Sequence, residues 1–187
     1  MKMVKFICRL VLPLLLITVV VAAALAGINA VTRDKIAEAK ELKVQQAIKT
    51  VLPDTWNLQS VLFSAEEHPL VKAVYASGAG YAVQVEPAGF GGNISMMVGV
   101  SNEGKVLGVQ IIGHTETAGL GAVAAATTSA GQSFRDSFEG LTYPVSVSKD
   151  GGEADTVTGA TITSRAVAEG VNAALICVKS FAKEAQP

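Results

Sequence analysis

Histidine and cysteine are scarce in this chain, with two of each among its 187 residues. Cys8 and Cys177 lie far apart, and Cys8 sits beside an apolar segment, so no disulfide framework is expected. The sequence has no Cys-x-x-Cys spacing, and its two histidines are His68 and His114. Because iron–sulfur, haem and zinc sites each need several such ligands, no metal site is predicted. Any redox chemistry here would therefore need an organic cofactor.

Charged residues are also few. They make up 17% of the chain, against 50% hydrophobic residues, and the formal net charge is -1. A chain with so little net charge lacks the electrostatic footprint of a nucleic-acid-binding protein, so no nucleic-acid partner is expected. The apolar excess is concentrated at the N-terminus, and the length suits one ordinary domain plus a membrane anchor.

The N-terminal apolar run extends from Leu10 to Ile28, 19 residues without a charge. About 20 residues are needed to cross the hydrocarbon of a bilayer, so this run predicts a transmembrane helix. Ala24-Leu25-Ala26 also resembles a signal-peptidase site, but the apolar stretch continues to Val31, which favours an uncleaved anchor. Basic residues before the run favour a single-pass protein of the cell (inner) membrane, with a cytoplasmic N-terminus and an extracytoplasmic domain.

Beyond the anchor, the hydrophobic pattern predicts an α+β domain. Residues 32–50 are predicted to be helical, with an amphipathic stripe that we expect to pack on the domain, and Pro53 ends this helix. Alternating runs separated by glycine-rich turns predict antiparallel strands, and helices are expected to pack on that sheet. The predicted strands cover residues 72–77, 81–86, 94–100, 106–111 and 144–147, and the predicted helices cover 119–128, 131–139 and the chain from Thr161 onward.

The stretch best suited to chemistry is residues 155–164, which combines a glycine, an alanine and several hydroxyl side chains just before a predicted helix. Small residues let a bulky group approach the backbone, and a helix N-terminus offers free N–H donors to a phosphate. Hydroxyls can donate to a phosphate or be esterified. An ordinary threonine or serine helix cap explains part of the same pattern. On the pattern alone the cap is favoured, because phosphate motifs without a lysine are weak.

The run Asp155-x-x-Thr158-Gly159-Ala160-Thr161 resembles the flavinylation motif of the FMN-binding domain family. In that family, a flavin transferase uses FAD as the donor and joins FMN through its phosphate to the last threonine of the motif. The matching residue is Thr161, so the resemblance implies a covalent FMN phosphoester at this position.

Two further runs resemble elements of the same family. Residues 114–121 are similar to its Glu-Thr-Pro-Gly-Leu-Gly element, which lies against the flavin, although Ala118 stands where proline is usual. Residues 89–94 are similar to a glycine loop of the family, which is a weaker match. The resemblance covers roughly residues 71–181.

The resemblance implies roles for the residues around Thr161. Those expected to donate to the phosphate, cap the helix or leave clearance are Thr158, Gly159, Ala160, Thr163 and Ser164. Those expected to border the isoalloxazine ring are Glu116, Thr117, Gly119 and Leu120. Because the flavin would carry the electrons, no residue is assigned as catalytic.

Within this family, the layout most resembles the G subunit of the Rnf complex, which moves electrons between ferredoxin and NAD and couples this to sodium or proton transport. One N-terminal span, a short stalk and a single flavin domain match that subunit. The FMN-carrying C subunit of the sodium-translocating NADH:quinone reductase has a similar plan but is usually longer, and it is the alternative. The chain would then be the redox subunit of a multisubunit translocase, without a substrate of its own.

The predicted domains are a cytoplasmic N-terminus and transmembrane helix over residues 1–31, a helical stalk and linker over 32–70, and an FMN-binding domain over 71–187. The expected partners are the other membrane and peripheral subunits of an Rnf-type complex, a flavin transferase for maturation, and membrane lipid.

Two other classes of function stay open. A threonine hydrolase would pair Thr161 with His114 and Glu116, although the sequence has no Gly-x-Ser-x-Gly elbow. A non-redox anchored surface module would use its threonines only as helix caps.

Overall fold

The chain begins with one long helix, α1, which runs from Lys2 to Val51. The computed structural model describes residues 2–184, and the chain divides into two compact units, Met1–Leu42 and Lys43–Pro187. From Leu10 onward α1 is long and apolar enough to cross a membrane, with a mean hydropathy of 2.7 in its most apolar window. None of that window is buried, as expected for side chains that face lipid. The first unit therefore forms a single membrane anchor.

The second unit contains a five-stranded sheet whose strands lie side by side in chain order. Each strand pairs with the next in the antiparallel sense. This arrangement is the antiparallel sheet that the alternating runs predict. The strands are β1 (Gln59–Ser60), β2 (Val71–Ser77), β3 (Gly80–Val85), β4 (Ser95–Ser101) and β5 (Val106–Gly113).

Each face of the sheet contributes to a hydrophobic cluster. Successive side chains of a strand point to opposite sides, so adjacent residues belong to different clusters. On β3, Val83 belongs to the larger hydrophobic cluster and the adjacent Ala82 to a smaller one. On β4, Met96 and Met97 divide between the two clusters in the same way. A different helix covers each face.

The larger cluster is completed by helix α3, which runs from Thr161 to Glu184. Its buried residues recur at helical spacing, as the apolar stripe predicts, and include Val167, Val171 and Val178. Near the end of this helix, Phe181 stacks on Tyr81 of β3 with the ring centroids 5.9 Å apart. The packing fixes α3 along the sheet and so places its N-terminus, where the candidate site lies.

The smaller cluster is formed with the last turns of α1. Three residues of these turns and the residue that follows them are at most 3% exposed and cluster with Ala82 and Met97: Ala47, Ile48, Val51 and Leu52. These four belong to the amphipathic stripe, so the prediction that the stripe packs on the domain is confirmed. The helix ends at Val51, two residues before Pro53.

After β5 the chain forms a short 3-10 helix, Gly121–Ala125, and then helix α2, Ser129–Asp136. The first is shorter and more tightly wound than the predicted helix over 119–128. The second begins two residues earlier than predicted, because the Thr128 side chain caps it and accepts a hydrogen bond from the Gly131 amide. A further 3-10 turn covers Ser148–Asp150.

The predicted strand over residues 144–147 is wrong. In this segment Val147 makes an isolated bridge to Ala154, and no ladder forms within the described residues. Pro144 has no N–H to give to a neighbouring strand. The Asn172 side chain of α3 instead accepts from the Val145 amide at 2.8 Å and donates to its carbonyl at 2.7 Å. One side-chain amide thus satisfies the backbone that a partner strand would have paired.

Candidate functional site

A cavity of about 260 Å³ lies beside the N-terminus of α3. Three segments distant in sequence form its wall: the glycine loop (residues 89–94), the loop after β5 (residues 114–120) and the start of α3. These are the three stretches that carry the family resemblance. The lining residues are Phe90, Glu116, Thr117, Leu120, Gly121, Gly159, Ala160, Thr161, Ile162 and Thr163.

A sharp turn delivers Thr161 to the first position of α3. The Ala160 amide donates to the Val157 carbonyl at 3.0 Å, and Gly159 has a φ of +77°, which a residue with a side chain rarely adopts. Regular helical bonding then starts with the Ser164 amide, which donates to the Ala160 carbonyl at 3.0 Å. The first amides of the helix have no intrahelical acceptor and carry its partial positive charge toward Thr161.

Ser164 holds this turn together from the inside. Its side chain is fully buried, and its hydroxyl accepts from the Val157 amide and donates to the Ala160 carbonyl, both at 3.0 Å. Both bonds are made within the chain, so the hydroxyl supports the turn. It does not line the cavity.

Glu116 joins the three segments through its carboxylate. Its Oε1 accepts from the Gly91 amide at 2.9 Å, and its Oε2 accepts from the Thr163 hydroxyl at 2.5 Å. The side chain is 8% exposed. In addition, the Thr115 hydroxyl donates to the Gly91 carbonyl at 2.9 Å, so two contacts tie the loop after β5 to the glycine loop.

Two glycines make room for this carboxylate. A side-chain carbon on Gly89 would overlap Glu116 Oε1, and one on Gly121 would overlap both Glu116 Oε2 and Thr163 Oγ1. Neither glycine has a positive φ, so their role here is close approach to Glu116. Glycine at these positions is therefore required by the bridge between the segments.

Large apolar side chains at the cavity stay open to solvent. Phe90 is 68% exposed, Leu120 is 45% exposed and Ile162 is 51% exposed. Each comes from a different one of the three segments. Exposed apolar groups gathered around a concave site are typical of a surface that binds a flat hydrophobic ligand.

Among the described residues, the cavity lining contains no lysine or arginine. The nearest basic residue along α3, Arg165, is held by Asp150 through bonds of 2.8 and 2.6 Å. Hydrogen bonding to Arg165 lowers the pKa of Asp150, and the same bond raises the pKa of Arg165. A bound anion would therefore rely on helix amides and hydroxyls.

Seven of the ten predicted site residues line the cavity, with Thr161 partly exposed among them. Thr158 and Gly119 line an adjoining hollow of about 400 Å³, and Ser164 lies in the core. Three lining residues were not predicted: Phe90, Gly121 and Ile162. Two signals could have identified the first two: the aromatic residue inside the glycine loop, and the second glycine of the Gly119-Leu120-Gly121 run.

The arrangement does not assemble the predicted hydrolase partners around Thr161. The His114 ring accepts a hydrogen bond from the Glu116 amide at 3.2 Å through Nδ1, and the Glu116 carboxylate is occupied by Gly91 and Thr163. Nucleophilic catalysis needs a base within hydrogen-bond reach of the nucleophile, and no such contact to the Thr161 hydroxyl exists among the described residues.

Comparison with known proteins identifies the family. A sequence model described as the FMN-binding domain matches residues 89–176, which include all three segments of the cavity. The G subunit of the ion-translocating oxidoreductase complex of Shewanella amazonensis is 34% identical, over 84% of this chain and 81% of its own. The G subunit of the ion-translocating oxidoreductase complex of Methanosarcina acetivorans is 31% identical, over 91% and 94%. The G subunit of the Na(+)-translocating ferredoxin:NAD(+) oxidoreductase complex of Acetobacterium woodii is 30% identical, over 96% and 95%.

The alignments with the last two relatives cover 91% and 96% of this chain, so they extend into the N-terminal apolar helix as well as the domain. The chain therefore belongs to the FMN-binding domain family and, within it, to the G subunits of ion-translocating oxidoreductase complexes.

Proposed function

We propose that this chain is the membrane-anchored electron-transfer subunit of an Rnf-type ferredoxin:NAD oxidoreductase complex, and that it carries FMN as a phosphoester on Thr161. One observation carries the proposal. The Thr161 residue lies at a helix N-terminus and lines the cavity that all three family elements build. The sodium-translocating quinone reductase is the alternative complex, but the three relatives named above are G subunits of ion-translocating oxidoreductase complexes.

The residues present fit a flavin phosphate. The first amides of α3 supply donors and partial positive charge for a phosphate on Thr161. Gly159 and Ala160 leave clearance beside it. We propose that Thr158 contacts the phosphate from the adjoining hollow, and that Thr163 caps the helix start, with its hydroxyl donating to Glu116. Ser164 supports the turn from the core.

The other walls suit the ring system. The exposed faces of Phe90, Leu120 and Ile162 offer apolar contact to a planar aromatic group. Thr117 adds a hydroxyl in the same lining, and Gly119 shapes the loop that carries Leu120. Bound FMN would supply one-electron chemistry, while the chain holds and orients it and leaves one side open to redox neighbours.

The remaining assignments follow from this function. We propose that residues 1–31 form the cytoplasmic N-terminus and transmembrane segment, that 32–70 form the stalk and linker, and that 71–187 form the flavin domain. The end of the stalk and β1 of the linker pack with that domain. We place the domain on the extracytoplasmic side of the cell membrane. The partners are other subunits of the complex, a flavin transferase that loads the cofactor, and membrane lipid.

The intact mass of the purified chain tests the covalent cofactor. Co-expression with a flavin transferase is expected to give a yellow protein whose mass rises by FMN less one water. Thr161→Ala removes the ester oxygen and is expected to abolish the increment. Thr156→Ala is the matched control, because Thr156 lies in the same stretch but bonds to Ser148 and does not line the cavity. A colourless native chain, or an undiminished increment in Thr161→Ala, would refute the proposal.

A further inference from the structure

The cavity beside Thr161 contains one buried acidic group. Among the lining residues that the structure describes, Glu116 alone is ionisable, and it is 8% exposed. A carboxylate is costly to bury, so its position needs a reason beyond solubility. A neutral glutamine in the same position could accept only one of the two hydrogen bonds that Glu116 makes, because its second terminal atom is an NH2 donor.

Among the residues that the structure describes, no basic side chain forms an ion pair with Glu116. Its two oxygens accept from the Gly91 amide and the Thr163 hydroxyl, which are both neutral donors. Asp150 near the same helix differs, because Arg165 neutralises it through two hydrogen bonds. Two donors directed at separate oxygens suit the charged carboxylate, which only accepts hydrogen bonds.

The bridge also fixes the location of this charge. Its two oxygens are each held by a hydrogen bond in the room that Gly89 and Gly121 leave, and Thr163 lies two residues beyond Thr161 on the same helix. A fixed charge that is largely shielded from water, as the 8% exposure of Glu116 indicates, acts more strongly on its neighbours than a mobile charge in water.

We propose that Glu116 lowers the reduction potential of the flavin held at Thr161, which makes it a positioning and tuning residue. This inference rests on the proposed function, since it needs the flavin in this cavity. An electron that reached the bound flavin without a proton would add negative charge near a carboxylate that no described cation neutralises. Like charges repel, so the oxidised flavin is favoured and the potential falls.

A redox titration of the full chain tests this inference, with the protein loaded by co-expressed flavin transferase, purified in detergent and followed by flavin absorbance. Glu116→Gln keeps the shape and removes the charge. It is expected to favour the reduced flavin by about tenfold, a rise of about 59 mV for a one-electron couple. Glu116→Asp keeps the charge and is expected to restore most of the native potential.

Two further variants guard against indirect effects. Glu153→Gln removes an exposed carboxylate outside the cavity and is expected to leave the potential unchanged. Thr117→Lys adds a cation to the lining at an exposed position, where folding should tolerate it, and is expected to raise the potential. If Glu116→Gln does not fold or does not accept flavin, this variant shows whether charge in the cavity lining changes the flavin potential.

The outcomes separate this inference from the proposed function. If the native chain takes up no covalent flavin, the proposed function fails. If flavin is attached but Glu116→Gln keeps the native potential, the electrostatic role of Glu116 is overturned. Where Glu116→Gln cannot be loaded with flavin, an unchanged potential in Thr117→Lys overturns it. A higher potential in Glu116→Gln, together with a near-native potential in Glu116→Asp, supports the role of Glu116. A purely structural role would not depend on the charge of the side chain.

Discussion

A few polar atoms hold the candidate site together at the scale of single residues. Glu116 reaches the glycine loop through the Gly91 amide and reaches α3 through the Thr163 hydroxyl. Hydrogen bonds to a charged group contribute about 1.5–3 kcal/mol each, so these contacts matter for local order as well as for chemistry. Gly121 is part of the same unit, because any side chain there would displace the carboxylate.

Gly121→Ala should therefore destabilise the domain. The added methyl group overlaps Glu116 and Thr163, and overpacking of this kind costs about 1–3 kcal/mol. Urea unfolding of a fragment that begins at Lys43 would measure the change. Gly78→Ala is the matched control, since no atom lies within 4 Å of its added carbon and its φ is not positive. Equal stability of the two variants would contradict the bridging role of Glu116.

The sequence was informative for residues that belong to a continuous motif. Thr161, Gly159 and Ala160 were predicted from one run, and all three line the cavity. The bond between Glu116 and Thr163 was not predictable, because it joins residues 47 positions apart. Ser164 shows a related limit, since the pattern could not distinguish a hydroxyl that faces a ligand from one that caps its own turn.

Single elements of secondary structure serve two purposes in this fold. Helix α1 begins in the anchor, and its last turns bury one face of the sheet. A side-chain carbon on Gly99 of β4 would overlap the backbone of Val51, so the helix lies directly against the strand. This section of α1 is therefore part of the domain core.

Fragments with and without the last turns of α1 should differ in their ability to fold. A fragment that begins at Lys43 retains the residues that cover Ala82 and Met97, and we expect it to be soluble and monomeric. A fragment that begins at Asp54 exposes that face and should aggregate, because an open apolar sheet face drives association. Size-exclusion chromatography and circular dichroism compare the two. Normal folding of the shorter fragment would show that α1 is dispensable.

Elements with a clear period were predicted well, and irregular ones were not. The strands and the stripe of α3 follow simple repeats that survive in the fold. The two-residue strand β1 was missed, because two residues carry no period. Residues 144–147 look like a strand locally, and only the side chain of Asn172, contributed by α3, explains why they form none.

At the scale of the whole molecule, the chain combines an apolar span with a single cofactor domain. Relatives that match over nearly the full length are subunits of ion-translocating complexes. The anchor fits this setting, since it keeps a redox domain at the membrane that houses the complex.

The proposed orientation predicts the behaviour of reporters fused after Pro187. Alkaline phosphatase, which is active only outside the cytoplasm, should be active, and green fluorescent protein exported through the same route should be dark. The basic residues that precede the span provide the physical reason. We expect the span to stay uncleaved, so the intact mass should include it. A fluorescent fusion with inactive phosphatase would place the domain in the cytoplasm.

The most direct test of the account locates the flavin on the chain. Trypsin cleaves after Lys149 and Arg165, so it releases residues 150–165 as one peptide that contains every hydroxyl of the motif. Fragmentation of this peptide from flavin-loaded protein should place FMN, less one water, on Thr161, with Thr156, Thr158 and Thr163 unmodified. A yellow protein whose peptide is unmodified, or carries FMN on another hydroxyl, would contradict the account.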